Sequence, residues 1–260
     1  MQTTDTFEKA AILIVDDNED ILEFLLDDLG EAYTIYTAVN GTEALKILSE
    51  EVVHLVISDV MMPEIDGFEL CDKIKSSFEL SHIPVILLTA KNSLASKIEG
   101  LSTGADAYIE KPFSPEHLAA QVSSLLTNRN KVKEYFINSP LAHIKSIAHS
   151  RLDEEFLEKL NNFIVENIEN PDLDVEHLAV AMNMSRPTLY RKVKSISNLS
   201  PNEMINLSRL KKAVELMNTK VIALGQIADI VGYSSLTQFG RNFQKQFGLT
   251  PSEYMQRAGS

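Results

Sequence analysis

The sequence predicts two domains: an α/β doubly wound, five-stranded parallel sheet, followed by an all-α domain with two helix-turn-helix motifs. Three observations carry this. Residues 10–126 alternate five short apolar runs with stretches of helical period. Residues 189–204 and 239–254 match one another at an offset of 50. The charge also changes sign along the chain. Residues 1–126 hold 23 acidic and 7 basic side chains, a balance of −16, whereas residues 182–260 hold 4 and 11, a balance of +7. At 260 residues the chain is long enough for two cores. Its net charge of −13 argues against nucleic acid only for a single body, and the split marks an acidic module joined to a basic one.

The first module reads in order. "AILIVDD" is a strand and "EDILEFLLDDL" a helix. "YTIYTAV" and "GTEALKILSE" form the second pair, and "HLVISD" with a helix from about Gly67 to Ser77 the third. "PVILLTA" pairs with "SLASKIEGLSTG", and "DAYIEKP" with "SPEHLAAQVSSLL". Such units give a parallel sheet with helices on both faces, and its ligands bind beyond the carboxyl ends of the strands. There the apolar pattern breaks. Asp16 and Asp17 close the first strand, Asp59 the third, Thr89 the fourth and Lys111 the fifth. Asp17 also reads as part of a helix cap, since "DDNED" precedes "ILEFLL". Three carboxylates on one rim repel unless a cation joins them, and an all-oxygen donor set favours Mg²⁺. A carboxylate beside a metal and a lysine can attack a phosphoryl group, because both cations neutralise charge on the transferring oxygens.

These residues, at these spacings, resemble the receiver domain of bacterial two-component response regulators over residues 10–126. The resemblance implies a flavodoxin-like fold with Asp59 as phosphoacceptor and Asp16 and Asp17 as the acidic pair that holds Mg²⁺. It makes the carbonyl of Met61 a further metal ligand, Thr89 the switch hydroxyl and Tyr108 the aromatic switch. Lys111 becomes the partner of the phosphoryl oxygens, with a cis bond to Pro112. Pro63 and Gly67 match the loop after the acceptor strand. Met61 and Lys91 flank the path of an attacking water, and neither side chain orients it readily. The expected phosphorylated state is therefore long-lived, hydrolysed slowly by a protein that is not a turnover enzyme. His54, His82 and His117 lack ligand spacing and are expected in surface or packing roles.

From Thr127 the periodicity weakens, and "NSP" signals a turn. The expected division is 10–126 for the first domain, 127–152 for a loosely packed linker and 153–258 for the second domain. His143 and His149 fall on different helix faces, which argues against a metal pair.

In the second module "LYRKVKSISNLSPNEM" and "FGRNFQKQFGLTPSEY" are the repeated segments. Upstream, "VEHLAVAMNMS" parallels "LGQIADIVGYSS" with one extra residue in the second copy. Each copy reads helix, short turn, helix, with Ser185 and Ser235 opening the second helices. Basic second helices in paired helix-turn-helix units point to the DNA major groove. Residues 153–258 resemble the AraC-type DNA-binding domain, most closely in the second copy. That resemblance implies seven helices, with "EMINLSRLKKAVELMNT" linking two subdomains through Leu207, Leu210, Val214 and Met217. It directs Pro187, Tyr190 and Arg191, and in the second copy Leu236, Thr237, Gln238 and Arg241, toward bases or phosphates. Arg186, Lys192, Lys194 and Lys245 are phosphate candidates. Leu189, Val193, Phe239, Phe243 and Phe247 are spaced for core. Gly240 interrupts a reading helix, as a close backbone approach would require.

Together these readings predict a phosphorylation-controlled transcriptional regulator. A histidine kinase is the expected phosphodonor, promoter DNA the target, a homodimer the phosphorylated form and RNA polymerase a further partner. Phosphorylation acts either by dimerisation on tandem sites or by relief of inhibition. One alternative is the output segment of a larger hybrid sensor kinase with the same chemistry. Another is a Mg²⁺-dependent phosphohydrolase, disfavoured because Met61 stands where a general acid is needed. The single cysteine, Cys71, and the lack of an apolar run of about 20 residues fit a cytoplasmic protein without membrane contact. Met1–Ala10 is polar and predicts no signal peptide.

Overall fold

The structure is a computed structural model, and it describes residues 9–90, 104–219 and 221–257. Contacts divide the chain into two compact units, residues 1–128 and 129–260. Among the described residues, no helix is long and apolar enough to cross a membrane.

In the first unit the strands are β1 (Ala11–Val15), β2 (Thr34–Ala38), β3 (Leu55–Asp59), β4 (Val85–Ala90) and β5 (Ala107–Lys111). They form one parallel sheet in the order β2-β1-β3-β4-β5. Helices α1 (Glu19–Leu29), α2 (Gly41–Glu50) and α3 (Gly67–Ser76) follow the first three strands, and α4 (Pro115–Asn138) follows β5. Alternate strand residues serve opposite faces. Leu13, Val15, Val56 and Leu87 pack with residues of α2 and α3, while Ile12, Ile14, Ile57 and Leu88 pack with α1 and the start of α4. Both faces are covered, so a polar residue is tolerated only where a strand ends. Asn18, not Asp17, caps α1, its side chain accepting from Asp20 N at 2.9 Å. The helix expected over "SLASKIEGLSTG" lies outside the described residues except for Gly104, as does Lys91.

The segment expected as a loose linker is ordered and packed. α4 buries Leu118, Val122 and Leu126 in the first unit and continues to Asn138, and a short 3-10 turn covers Ile144–Ile147. Lys133, Phe136, Ile144 and Ile147 are buried. Its polar sequence hid this because its lysine ammonium is taken up by acceptors inside the unit.

Seven helices follow: α5 (Arg151–Glu166), α6 (Val175–Met182), α7 (Arg186–Ser197), α8 (Pro201–Asn218), α9 (Leu224–Ile230), α10 (Leu236–Phe247) and α11 (Pro251–Arg257). Pairs α6–α7 and α9–α10 are the two helix-turn-helix copies, and α8 packs against both. Leu207, Leu210, Val214 and Met217 of α8 are buried, as their spacing predicts.

Candidate functional site

β1 and β3 are neighbours with Val15 opposite Ser58, so Asp16 and Asp59 leave adjacent strands at one level. One carboxylate oxygen from each of Asp16, Asp17 and Asp59 lies within 4.8 Å of the others. Asp16 and Asp59 are buried and Asp17 is exposed. Asp16 Oδ1 accepts from Asn18 N at 3.0 Å and Asp59 Oδ2 from Met61 N at 3.2 Å, which fixes both carboxylates. Lys111 ends β5, two strands from β3. Its long side chain crosses β4 and sets Nζ 2.8 Å from Asp59 Oδ1 and 2.9 Å from Asp16 Oδ2. Burial pulls this ammonium down, but hydrogen bonds to Asp59 and Asp16 outweigh it and hold its pKa above the ordinary lysine value. Three carboxylates against one ammonium leave a formal −3 + 1 = −2 at the rim, held on oxygen atoms. A hard divalent cation fits that donor set.

The DG turn after Asp59 has a steric cause. A Cβ on Gly67 would stand 2.2 Å from the Asp59 carbonyl oxygen, so α3 can begin this close to the acceptor strand only with glycine. Asp66 caps the helix, accepting from Glu69 N at 2.8 Å. Thr89 is half-buried at the end of β4, one residue beyond the Leu88 that pairs with Asp59. Tyr108 is half-buried against the cluster facing α2 and α3. The Met61 side chain is 73% exposed. The Lys111–Pro112 bond is cis.

The second unit holds the other candidates. Ser185 and Ser235 cap the reading helices α7 and α10. Arg186, Pro187, Tyr190, Leu236, Thr237, Gln238, Arg241 and Lys245 are exposed, and Arg191 and Lys194 are half-buried. Leu189, Val193, Phe239 and Phe243 are buried and Phe247 is packed against them, so each helix turns its polar face outward. Arg186 pairs with Glu176 at 3.2 Å, and Arg191 donates to Thr188 Oγ1 at 3.4 Å. Lys192 is not a phosphate contact. It is buried, with Nζ 3.2 Å from the buried Asp153 and 4.8 Å above the Phe156 ring. The signal was present: Lys192 lies three residues after Leu189 and four before Ile196, inside the apolar stripe. No close approach within the chain explains Gly240, since a Cβ there would meet nothing within 4 Å. His54 serves packing, its Nδ1 accepting from Ala11 N at 3.0 Å.

The response regulator receiver domain family matches residues 12–123, and a helix-turn-helix domain family matches residues 178–257. Histidine kinase P4 of Formosa agariphila is 41% identical over 250 residues, which are 96% of this chain and 18% of that protein. The probable transcriptional regulator ycf27 of Cyanidium caldarium is 44% identical over 131 residues, 48% of this chain and 51% of that one. The probable transcriptional regulator ycf29 of Pyropia yezoensis is 33% identical over 197 residues, covering 71% of this chain and 87% of that one. The chain thus spans under a fifth of the first relative and about half of the second.

Proposed function

The chain belongs to the response regulators that join a receiver domain to an AraC-type helix-turn-helix domain, and on that premise we propose a phosphorylation-controlled, DNA-binding transcriptional regulator. The carrying observation is the bridge from Lys111 to Asp59 and Asp16 beside Asp17, at the carboxyl ends of the strands. A partner histidine kinase presents phosphohistidine. The Asp59 carboxylate attacks phosphorus, an O–P bond forms, and the P–N bond to the imidazole breaks. Lys111, already placed on Asp59, pairs with the arriving phosphoryl oxygens. Asp16, Asp17, Asp59 and the Met61 carbonyl are the residues that would hold Mg²⁺. When bound, Mg²⁺ supplies further charge neutralisation at the transferring oxygens.

Thr89 and Tyr108 report the new charge as switch residues. The acyl phosphate is hydrolysed slowly, so the protein acts as a switch and not as a turnover enzyme. In the second unit, Pro187, Tyr190, Arg191, Leu236, Thr237, Gln238 and Arg241 read promoter DNA, and Arg186, Lys194 and Lys245 hold phosphates. A phosphorylated homodimer would engage tandem sites with raised effective concentration and present RNA polymerase with a fixed surface. Labelled acetyl phosphate tests the chemistry. Label on the wild type, lost with a chelator and lost in Asp59→Asn, is expected. Equal label on Asp59→Asn would overturn the assignment.

A second reading is favoured by one observation. The match to histidine kinase P4 runs through 96% of this chain yet covers 18% of that protein, which suits the output segment of a larger hybrid sensor kinase. An antibody raised against this chain separates the two readings. In cell extract it would show a band near 29.0 kDa or one several times larger.

A further inference from the structure

Within the second unit, the last turns of α4 are held from three directions. Lys133 is buried, and its Nζ donates to Ser195 O at 2.7 Å and Asn198 Oδ1 at 3.1 Å. That sets an ammonium at the C-terminal end of α7, where unpaired carbonyls and the helix dipole favour positive charge. Lys211 of α8 donates to the carbonyls of Phe136 at 2.8 Å, Ser139 at 2.6 Å and Ala142 at 2.9 Å, and lies 4.4 Å above the Phe136 ring. All three of its N–H donors are used. Gln246, in the last turn of α10, donates to Ile137 O at 2.9 Å. One stretch of α4 therefore binds both reading helices and the helix that joins them.

The comparison of copies strengthens the point. Asn198 and Gly248 occupy the same left-handed position after the reading helices, at φ 62 and 73. Glycine suits such a position best. The first copy has asparagine there, and its side chain receives Lys133.

We propose that residues 129–142 are the spacer that fixes the separation and angle of the two reading helices on DNA, with Lys133, Lys211 and Gln246 as positioning residues for the readout. This rests on the DNA-reading function proposed above. Two helices that read adjacent major-groove segments must stand about one helical turn apart, so whatever fixes their separation fixes the spacing of the half-sites. All three anchors meet the reading helices or their joint at C-terminal ends, away from Ser185 and Ser235 where the base-reading residues gather. Losing an anchor changes pose without removing a DNA contact.

The test uses the full chain and a duplex that the phosphorylated wild type selects from a randomised pool. Companion duplexes have the half-sites moved by a few base pairs, or one half-site scrambled. For the wild type, altered spacing should weaken binding about ten-fold or more. In Lys133→Met, Lys211→Met and Gln246→Leu that penalty should shrink to about three-fold or less, while affinity for the single half-site stays within about two-fold. Gln246→Leu, half-buried and uncharged, covers failure of the lysine variants to fold. Undiminished spacing selectivity, or equal loss on every duplex, would overturn the spacer while leaving the DNA reader intact. A pool with no enriched duplex would overturn the DNA reading and the spacer together.

Discussion

In the first helix-turn-helix copy Lys192 reaches the buried Asp153 on α5; at the equivalent place in the second copy, Asn242 donates to Asn206 Oδ1 at 3.2 Å. The same Asn206 oxygen accepts the Tyr233 hydroxyl. Around it Tyr233, Phe239, Phe243, Phe247 and Tyr254 pack edge to face. The frames nevertheless agree. Leu189 and Val193 fall where Phe239 and Phe243 fall. Ser200 with Glu203, and Thr250 with Glu253, start the following helices with the same reciprocal bonds. Asn183 and Gly232 both take left-handed backbone at the turn. Spacing preserves the motif, and the polar lock beneath it is free to change. The two locks differ in kind. A buried ion pair contributes little net stability yet is costly to break, whereas a ring cluster contributes through its buried area.

The sharpest way to break this comparison is Lys192→Ala. It leaves Asp153 buried without its ammonium and should destabilise the second unit by about 3–5 kcal/mol, read as a urea midpoint. Lys192→Met combined with Asp153→Leu should recover most of that loss. An unchanged midpoint in the single variant would mean the pair is not the lock.

Next in size is a pH effect that sets the two units apart. Burial lowers Lys133 to about 8, with Arg129 and Lys194 adding to the shift, and burial lowers Lys211 to about 8. Between about pH 8 and the ordinary lysine value of 10.5, the unfolded chain holds protons that the folded chain has released. Stability of the second unit should therefore rise with pH across that window. Lys111 has the opposite sign: its pKa is raised, so its contribution is complete below the ordinary value and fades as pH climbs through the raised one. Urea midpoints across the window should rise for the wild type and flatten in Lys211→Met; a fall would reverse the sign assigned to the buried lysines.

Two smaller changes sharpen the comparison of copies. Asn198→Gly relieves left-handed strain but removes the acceptor of Lys133, and should cost about 1 kcal/mol net. Asn183→Gly has no such side-chain role among the described contacts and should be neutral or stabilising by a few tenths of a kcal/mol, roughly. Equal effects would show that Asn198 is only a cap. The smallest effect belongs to Gly240→Ala, which meets open space and should stabilise α10 by about 0.5–1 kcal/mol. A simultaneous loss of DNA affinity would place the DNA backbone against that glycine.

The rim was legible in the sequence because a sheet covered on both faces admits polar residues only at strand ends, and Asp16, Asp59, Thr89 and Lys111 all stand there. Gly67 was legible for a similar reason, since nothing larger fits against Asp59 O. Three lysines were not. Lys133, Lys192 and Lys211 have the composition of a solvated surface, and only the three-dimensional arrangement supplies the carbonyls and the carboxylate that take their charge inside. Lys192 alone left a trace, in the apolar stripe it interrupts. The polar run after Thr127 misled in the same way. Its helix is held by side chains more than 60 residues away, such as Lys211 against Phe136 O, and local pattern carries no record of them.

The central claim, that phosphorylation of Asp59 governs DNA binding by the second unit, is tested most directly by selection from a randomised DNA pool. The purified chain would be used untreated, treated with acetyl phosphate and Mg²⁺, and as treated Asp59→Asn. The account predicts tandem motifs enriched by the treated wild type alone. The same motif enriched equally in all three samples would contradict it.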